Sequence, residues 1–421
     1  MDADKTFSFA ELLRRAMPAA GMECVRIGRD VEPLAKLDYA LEITVKTNAF
    51  AGFWGKHTLP GSPEAVIPSP KARHYRTTTK RRAVIARGRL SIAFAEDEAT
   101  SALAKDVAFR ESILEPPEHA RIYRYLLNAF NQPAFQPAAR YLNYLIVRGS
   151  YTEFATIFNV NRLDSDLIRK LRSLADRLRT AEPAVTAAFV FFDPTRSIYY
   201  LDQKRPPHGL KLKKLFGHEK IRIDFSGYRY AFYPTGFCQI NGAMVPGMMQ
   251  TVRELLMPQP GYRLIDLYCG YGLFSHYLTE CFAQVLGLDA DPLSIKAARE
   301  NAALHAGGGR ATFAESRIFS RTLASTLPKP SRTGEAILLD PPRQGVDRGV
   351  IEILAARRPS VVVEAFCGIE AIPQQVRTWV RSGYQVARIV PLDMFPGTPN
   401  LEVLVSFTPA PGVIGASGSS Q

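Results

Sequence analysis

The stretch after about residue 250 alternates short apolar strands with helical segments, and this rhythm constrains the fold more than any other feature. Strand patterns end near residues 268, 289, 340 and 366, and two more span 384–393 and 401–407. Such alternation is typical of an α/β fold with a parallel, doubly wound sheet. Because ligands of open α/β sheets bind at the carboxyl ends of the strands, we expect functional residues at those ends.

The N-terminal part is less regular and more basic. Residues 1–250 hold 37 Lys and Arg against 25 Asp and Glu, whereas residues 251–421 hold 16 against 15. Cations are dense in KARHYRTTTKRRAVIARGR (71–89) and recur in KLKKLFGHEKIRI (211–223). This asymmetry favours a nucleic-acid partner, although a lysine- and arginine-rich soluble surface gives the same balance.

Local patterns predict several elements before residue 250. AELLRRAM (10–17) and residues 166–180 have helical spacing, whereas KLDYALEITVKTNAF (36–50) looks partly strand-like. AAFVFFD (187–193) and SIYYLD (197–202) predict two strands with a turn at Pro194 and Thr195.

Composition excludes some classes of protein. The chain is 46% hydrophobic and 22% charged, and it contains no apolar run long enough to cross a bilayer. Its first residues lack the pattern of a signal peptide. Five cysteines include no CxxC pair, which argues against a disulfide framework or a zinc site. We therefore expect reduced thiols and a cytoplasmic location, with no membrane partner.

DLYCGYGLF (266–274) follows a strand and opens a helix. Gly270 and Gly272 allow a tight turn and a close approach of the backbone to a ligand. Asp289 ends the next strand, where a carboxylate can accept two ribose hydroxyls. Ser275 takes the place of the last glycine of a dinucleotide motif, so a phosphate-free nucleoside cofactor fits better. A tight turn without a ligand is the alternative.

LLDPPRQG (338–345) ends another strand and places Asp340 at the same edge of the sheet. Two prolines stiffen this loop, and Arg343 suits a polyanion. A simple turn is the alternative. In FCQIN (237–241), Gln239 offers both a donor and an acceptor, and Asn241 is a candidate helix cap.

Cys367 ends the strand SVVVEAF and is followed by glycine. A lone cysteine in an apolar strand is usually a small buried hydrophobe, and a carboxylate such as Glu402 at a strand start is usually a solvated end. The nearby cofactor-type loop and the DPPR loop favour a nucleophile and a partner carboxylate at these two positions.

Six segments, in this order, resemble the S-adenosylmethionine-dependent RNA (uracil-5)-methyltransferase family. They are SPKARHYR (69–76), FCQIN, DLYCGYGLF, LDPPRQG, Cys367 with its strand, and DMFPGTPNLE (393–402). The resemblance covers about residues 66–407. The order of six segments is far more specific than any one of them.

The resemblance implies a Rossmann-like class I methyltransferase domain preceded by an α+β RNA-binding region. We expect an N-terminal region of unclear fold at 1–65, the RNA-binding region at 66–235, the methyltransferase domain at 236–408 and a disordered tail at 409–421. The four-cysteine pattern that holds an iron–sulfur cluster in some relatives is missing, so none is expected. We expect a monomer that binds tRNA or rRNA.

The resemblance also implies roles for individual residues. Cys367 stands at the position of the nucleophile and Glu402 at that of the base. S-Adenosylmethionine is the implied cofactor, with a site that includes Gln239, Tyr268, Gly270, Asp289 and Asp340. From the basic segment we expect RNA contacts by Arg73, His74, Tyr75, Arg76, Lys80, Arg81 and Arg82, with His74 or Tyr75 stacking on a base.

The chemistry explains why a thiol is needed. Carbon 5 of uracil is a poor nucleophile until a thiolate adds to carbon 6, and a base must later remove the proton from carbon 5. We therefore expect a lowered pKa at Cys367, with Arg343 supplying part of the effect. The uracil must leave its stack to react, which costs least in loops and single strands of RNA.

Three positions depart from the family pattern. Leu273 replaces an asparagine in the cofactor loop, FCGIE replaces SCNP around the cysteine, and Asn400 replaces a histidine before Glu402. These departures motivate a second hypothesis, an RNA-binding homologue that has lost turnover. A third hypothesis, an amino-group methyltransferase of nucleic acid, follows from the DPP loop and needs no cysteine.

Overall fold

The computed structural model describes residues 8–19, 31–94, 109–197, 211–305 and 307–411. The helices are α1 (Phe9–Ala19), α2 (Tyr39–Lys56), α3 (Pro117–Phe130), α4 (Gln136–Ala139), α5 (Ser165–Ala181), α6 (Val245–Leu256), α7 (Leu273–Leu278), α8 (Pro292–Ala302), α9 (Ser320–Thr326), α10 (Val350–Ala356) and α11 (Ile372–Arg381). Short 3₁₀ turns occupy Gly308–Arg310 and Ile369–Ala371. In the described ranges no helix is long and apolar enough to span a membrane.

The strands are β1 (Thr78–Ala86), β2 (Arg89–Phe94), β3 (Leu142–Gly149), β4 (Phe154–Val160), β5 (Val185–Phe192), β6 (Lys211–Gly217), β7 (Ile221–Phe225), β8 (Tyr228–Phe232), β9 (Arg263–Leu267), β10 (Gln284–Asp289), β11 (Ala311–Glu315), β12 (Glu335–Leu339), β13 (Val361–Phe366), β14 (Tyr384–Leu392) and β15 (Glu402–Pro409). The chain divides into two compact units. The first comprises residues up to Ala72, Phe225–Tyr230 and residues from Ala243 onward; the second comprises Arg73–Asp224 and Ala231–Gly242.

The first unit is built on a seven-stranded sheet with the order β11-β10-β9-β12-β13-β15-β14. The strands from β11 to β13 are parallel, as the alternating pattern predicts. The last two strands are antiparallel to their neighbours, so a purely parallel sheet is wrong for this end. They are consecutive in the chain and joined by a hairpin connection, which reverses the direction of β15.

Helices cover both faces of this sheet. Ile265 and Leu267 of β9 share a hydrophobic core with α1, α2, α9, α10 and α11. Helix α6 contacts β12, β13 and β15 without joining that core, so it covers the opposite face. The parallel strands are therefore buried on both sides, which explains their continuous apolar runs.

The N-terminal residues add two helices to the first unit. Helix α1 confirms the helical reading of AELLRRAM. The strand-like reading of residues 36–50 is wrong, because Asp38 caps α2 by accepting a hydrogen bond from the Leu41 backbone N–H at 3.1 Å. Phe50 and Phe53 of α2 are 1% or less exposed and pack into the core described above.

The second unit contains a six-stranded sheet with the order β2-β1-β3-β4-β5-β6. Helices α3 and α5 bury one apolar face against it. The predicted helix at 166–180 is confirmed as α5, which Asp164 caps by accepting from the Leu167 N–H at 2.9 Å. The predicted strand SIYYLD lies almost entirely outside the described residues, as do residues 204–210 and the tail after 411.

Candidate active site

Neighbouring strands of the first unit end side by side at one edge of the sheet. Strands β10, β9, β12 and β13 lie next to one another and run in parallel. Asp289 ends β10, Tyr268 follows β9, Asp340 follows β12 and Cys367 follows β13. The Asp340 backbone N–H donates to the Leu267 carbonyl at 3.2 Å, which continues this alignment beyond the strands. The sheet thus brings together four residues that lie far apart in sequence.

Glu402 reaches the same edge because β15 runs in the opposite direction. Phe366 pairs with Val403 in the antiparallel ladder, so the next residues outward, Cys367 and Glu402, lie opposite one another. Glu402 is 1% exposed, and its Oε1 has no hydrogen-bond partner among the described residues. An unpartnered buried carboxyl oxygen is costly to stability and common at functional sites.

The thiol of Cys367 lies in an apolar and acidic environment. It is half-buried, and Sγ lies 3.9 Å from the carbonyl oxygen of Pro341. Burial, and then the charges of Glu402 and Asp340, raise the pKa of the Cys367 thiol to about 12, and Arg343 opposes them. The predicted lowering of this pKa is therefore wrong in this structure, because desolvation and two carboxyl groups outweigh one exposed cation.

The carboxyl groups at this edge influence one another. Burial, and then the charge of Asp289, raise the pKa of Asp340 to about 7. Burial, and then Asp340, raise the pKa of Glu402 well above its usual range. Crowded carboxyl groups in a low dielectric share protons and attract a positively charged group. This edge of the sheet is therefore suited to a cationic ligand.

The loop after β9 is shaped for close approach of a ligand. Tyr268 has φ +65° and Gly272 φ +87°, both in the left-handed region. A Cβ on Gly272 would overlap the ring of His276, so glycine is required there. The Gly270 N–H donates to Asp289 Oδ2 at 2.9 Å, which fixes the carboxylate at the mouth of the loop.

Asp266 is a further acidic residue of β9, in addition to the carboxylates that the motifs predict at the sheet edge. It is fully buried, accepts a hydrogen bond from the Ser275 hydroxyl at 2.5 Å, and has a second oxygen without a partner among the described residues. Burial raises its pKa to about 7, with smaller contributions from Asp340 and Asp289. An acidic residue inside an apolar strand, at the start of DLYCG, is the feature of the sequence that could have indicated a role for Asp266.

Gly368 explains one departure from the family pattern. A Cβ at this position would overlap the carbonyl oxygen of Arg343 in the DPPR loop. The residue after Cys367 must therefore be glycine in this chain, since the two loops approach so closely. The replacement of an asparagine by Gly368 accompanies a tight contact between the cysteine loop and the DPPR loop.

The remaining predicted residues belong to the second unit. Gln239 is 7% exposed, and its neighbour Ile240 accepts a hydrogen bond from the Thr77 N–H at 2.9 Å. In the basic segment, His74 is exposed, and Arg73, Arg76, Lys80 and Arg82 are half-buried. The Lys80 ammonium lies 5.0 Å from the centre of the Tyr144 ring.

Two predicted RNA contacts lie in the interior instead. Tyr75 is fully buried, and its carbonyl oxygen accepts from the Tyr151 hydroxyl at 3.1 Å. Arg81 is 2% exposed and pairs with Glu115 at 2.5 Å. Alternate residues of β1 point inward, and Arg81 falls on the inward side. Tyr75 and Arg81 are therefore not part of an exposed basic surface.

Comparison with known proteins extends these observations. Residues 204–408 match the tRNA (uracil-5-)-methyltransferase family. This match confirms the resemblance that the ordered motifs indicate. It includes FCQIN, the glycine loop, the DPPR loop, Cys367 and Glu402.

Curated relatives match a similar part of the chain. An uncharacterized RNA methyltransferase of Thermosynechococcus vestitus is 30% identical over 201 residues, which are 48% of this chain and 43% of that protein. The 23S rRNA (uracil(1939)-C(5))-methyltransferase RlmD of Klebsiella pneumoniae is 34% identical over 181 residues, 43% of this chain and 41% of that protein. The chain thus spans less than half the length of these relatives.

A solved structure confirms the fold. The tRNA (uracil-54, C5)-methyltransferase of Pyrococcus abyssi, in complex with S-adenosyl-L-homocysteine, is 22% identical and has a TM-score of 0.64. The likeness covers 91% of this chain and 86% of that one. The predicted Rossmann-like methyltransferase fold with an additional α+β region is therefore correct.

Proposed function

We propose that this protein methylates carbon 5 of a uridine in tRNA or rRNA, using S-adenosyl-L-methionine and a covalent intermediate at Cys367. The main support is one observation: Cys367 and Glu402 face each other at the carboxyl edge of the sheet, beside Asp340 and Asp289. A nucleophile, a base and a cation-attracting site are the three elements that this reaction needs.

The residues of the glycine loop and the acidic edge fit the cofactor. S-Adenosyl-L-methionine, when bound, supplies an electrophilic methyl group on a positively charged sulfur. The loop at Gly270 leaves room, since a Cβ there would meet nothing within 4 Å. The Asp289 carboxylate suits ribose hydroxyls, and the buried carboxyl group of Asp266 and the half-buried one of Asp340 suit the positive charges. Tyr268 completes the proposed site on the resemblance.

The proposed role of Cys367 is to activate the ring. Its thiolate adds to carbon 6, and the electrons of the carbon 5–carbon 6 double bond move to the carbonyl at carbon 4 as an enolate. Carbon 5 is then nucleophilic and takes the methyl group. The thiol is the predominant form at neutral pH, since its pKa is raised to about 12, so the reactive thiolate is a small fraction.

The proposed role of Glu402 is to remove the proton that remains on carbon 5. The electron pair of that C–H bond re-forms the double bond, and the sulfur leaves carbon 6. Burial raises the pKa of Glu402, which makes its carboxylate a stronger base than an exposed glutamate. Arg343 favours the ionised forms of both Cys367 and Glu402.

Transfer of a labelled methyl group tests this function. Purified protein, methyl-labelled S-adenosyl-L-methionine and transcripts of tRNA and 23S rRNA are combined, and the nucleosides are separated by mass spectrometry. We expect label in 5-methyluridine. Tight RNA binding without any transferred label would support the RNA-binding homologue, and label on an exocyclic nitrogen would support an amino-group methyltransferase.

The basic segment is the proposed RNA surface of the second unit. Lys80 and Arg82 are two residues apart on β1 and lie on the face that Arg81 does not occupy. Arg73 and Arg76 add further cations for phosphate groups, and the exposed His74 ring adds a polar group to the same segment.

Removing two of these charges is expected to change the salt dependence of RNA binding. For Lys80→Gln/Arg82→Gln, the plot of the logarithm of the RNA association constant against the logarithm of salt concentration should become less steep by about 1–2. Each lost phosphate contact removes about one released counterion. The control Lys329→Gln/Arg332→Gln removes the same charge from the first unit. Both residues lie in an exposed loop before β12, at the other end of this strand from Asp340. Fluorescence titrations measure these slopes. Equal slopes for both variants would show that Lys80 and Arg82 do not contact RNA phosphates.

A further inference from the structure

A buried cation joins the N-terminal helix α2 to the loop that precedes Glu402. Lys46 is 0% exposed, and its Nζ lies 2.9 Å from Glu42 Oε1 and 2.8 Å from Asp393 Oδ1. The same ammonium donates to the Phe395 carbonyl oxygen at 3.3 Å. All three of its protons therefore have an acceptor, and two of these acceptors belong to the loop.

Further contacts hold the same loop to the N-terminal segment. The Gly397 N–H donates to Glu42 Oε1 at 2.6 Å, and the Leu34 N–H donates to the Gly397 carbonyl oxygen at 3.0 Å. The Tyr39 hydroxyl donates to Asp393 Oδ2 at 3.0 Å. The loop is thus attached to α2 at Asp393, at Phe395 and at Gly397.

This loop determines where β15 begins. Leu392, the last residue of β14, pairs with Glu402, the first residue of β15, so residues 393–401 form the connection between them. Glu402 Oε1 has no hydrogen bond among the described residues that would orient it. The direction of the Glu402 side chain therefore depends on the backbone, which the loop and the two strands hold.

Buried charges contribute little net stability to a fold, because removing them from water offsets most of their mutual attraction. One buried cation faces two buried carboxylates, and well-packed apolar residues commonly stabilise such a position as well or better. A buried ionic set does, however, specify one geometry, since its hydrogen bonds are directional.

We propose that Lys46 is a positioning residue that acts through the 393–401 loop to place the carboxylate of Glu402 for proton removal. This inference rests on the proposed function only for the role of Glu402. The attachment of the loop to α2 is a separate claim with a separate measurement. The N-terminal helix thereby becomes part of the catalytic apparatus, although it lies outside the segment that matches the family.

The test compares Lys46→Met with Lys56→Met, which removes an exposed lysine from the last turn of the same helix. Lys46→Met is expected to lower kcat about 100-fold, the effect of a misplacement of about 1 Å, with KM for RNA changed less than about threefold. Covalent RNA–protein adduct should accumulate on denaturing gels, because addition by Cys367 continues while proton removal slows. Amide hydrogen exchange in residues 393–402 should accelerate.

The possible results distinguish a positioning role of Lys46 from a role in stability alone. Lys46→Met with unchanged kcat, no adduct and unchanged exchange would overturn the proposal. If the wild-type protein transfers no methyl group, the proposed function fails, and the exchange of the loop still decides whether Lys46 holds it. Lys46→Met/Glu42→Gln keeps an acceptor for Gly397 and serves if the single variant does not fold. Loss of folding in both variants would assign Lys46 to stability and overturn the proposal.

Discussion

Replacing Cys367 with alanine is expected to lower methyl transfer to uridine by at least about 10⁴-fold, because alanine has no thiol to add to carbon 6. Affinity for RNA should change less than about threefold, because the thiol makes little of the contact with a large polyanion. The measurements are transfer of labelled methyl groups and a binding titration on the same RNA. The half-buried Cys367 side chain is small, so alanine should be accommodated without loss of folding.

The matched control is Cys281→Ala, which removes another half-buried thiol of the first unit. It should keep transfer within about twofold of wild type, because Cys281 follows α7 and lies away from the carboxyl ends of the central strands. Full activity of Cys367→Ala would contradict the covalent mechanism and favour direct methylation of an amino group.

Replacing Glu402 with glutamine is expected to lower turnover about 10³-fold and to trap a covalent RNA–protein complex. Glutamine has nearly the same shape but cannot accept the proton from carbon 5. Addition of Cys367 and methyl transfer therefore continue, while release of the sulfur stops. A band that survives denaturation and disappears after ribonuclease treatment measures this complex.

Two controls define the trapped complex. Glu352→Gln, at an exposed carboxylate in the first turn of α10, should turn over normally. Cys367→Ala/Glu402→Gln should give no complex, since the bond requires the thiol. Slow turnover of Glu402→Gln without any complex would contradict Glu402 as the base and would assign it to an earlier step.

The sheet domain could be predicted from sequence because its strands are short, apolar and buried on both faces. The strand QVLGLD was predicted with the bounds of β10, and the other central strands differ by about one residue. Helix α2 was misread because Ile43, Thr44 and Val45 favour a strand locally, whereas packing of Phe50 and Phe53 decides for a helix. Local preference carries no information about such distant contacts.

The site was predictable to the extent that it lies at strand ends. Cys367, Asp289 and Asp340 follow from that rule and from the motifs. The pKa of Cys367 was not predictable, since it depends on burial and on Glu402, which the antiparallel turn of β15 brings opposite. The burial of Arg81 could not be predicted either. It depends on the ion pair with Glu115, and a run of cations in the sequence does not show which of them has such a partner.

The attachment of α2 to the 393–401 loop could not be predicted from the sequence either. Lys46 and Asp393 are 347 residues apart, and neither an isolated lysine in a helix nor an aspartate after a strand signals a partner. Only the fold brings the N-terminal helices against the strand pair that carries Glu402.

The most direct measurement of the central claim uses RNA that contains 5-fluorouridine at the modified position. Fluorine cannot be removed from carbon 5 as a proton can, so the reaction should stop after methyl transfer. We predict a single cross-linked peptide in the mass spectrum, in which Cys367 carries a methylated fluorouridine nucleotide. A cross-link at another residue, or methyl transfer with no cross-link on RNA that the protein otherwise modifies, would contradict the account.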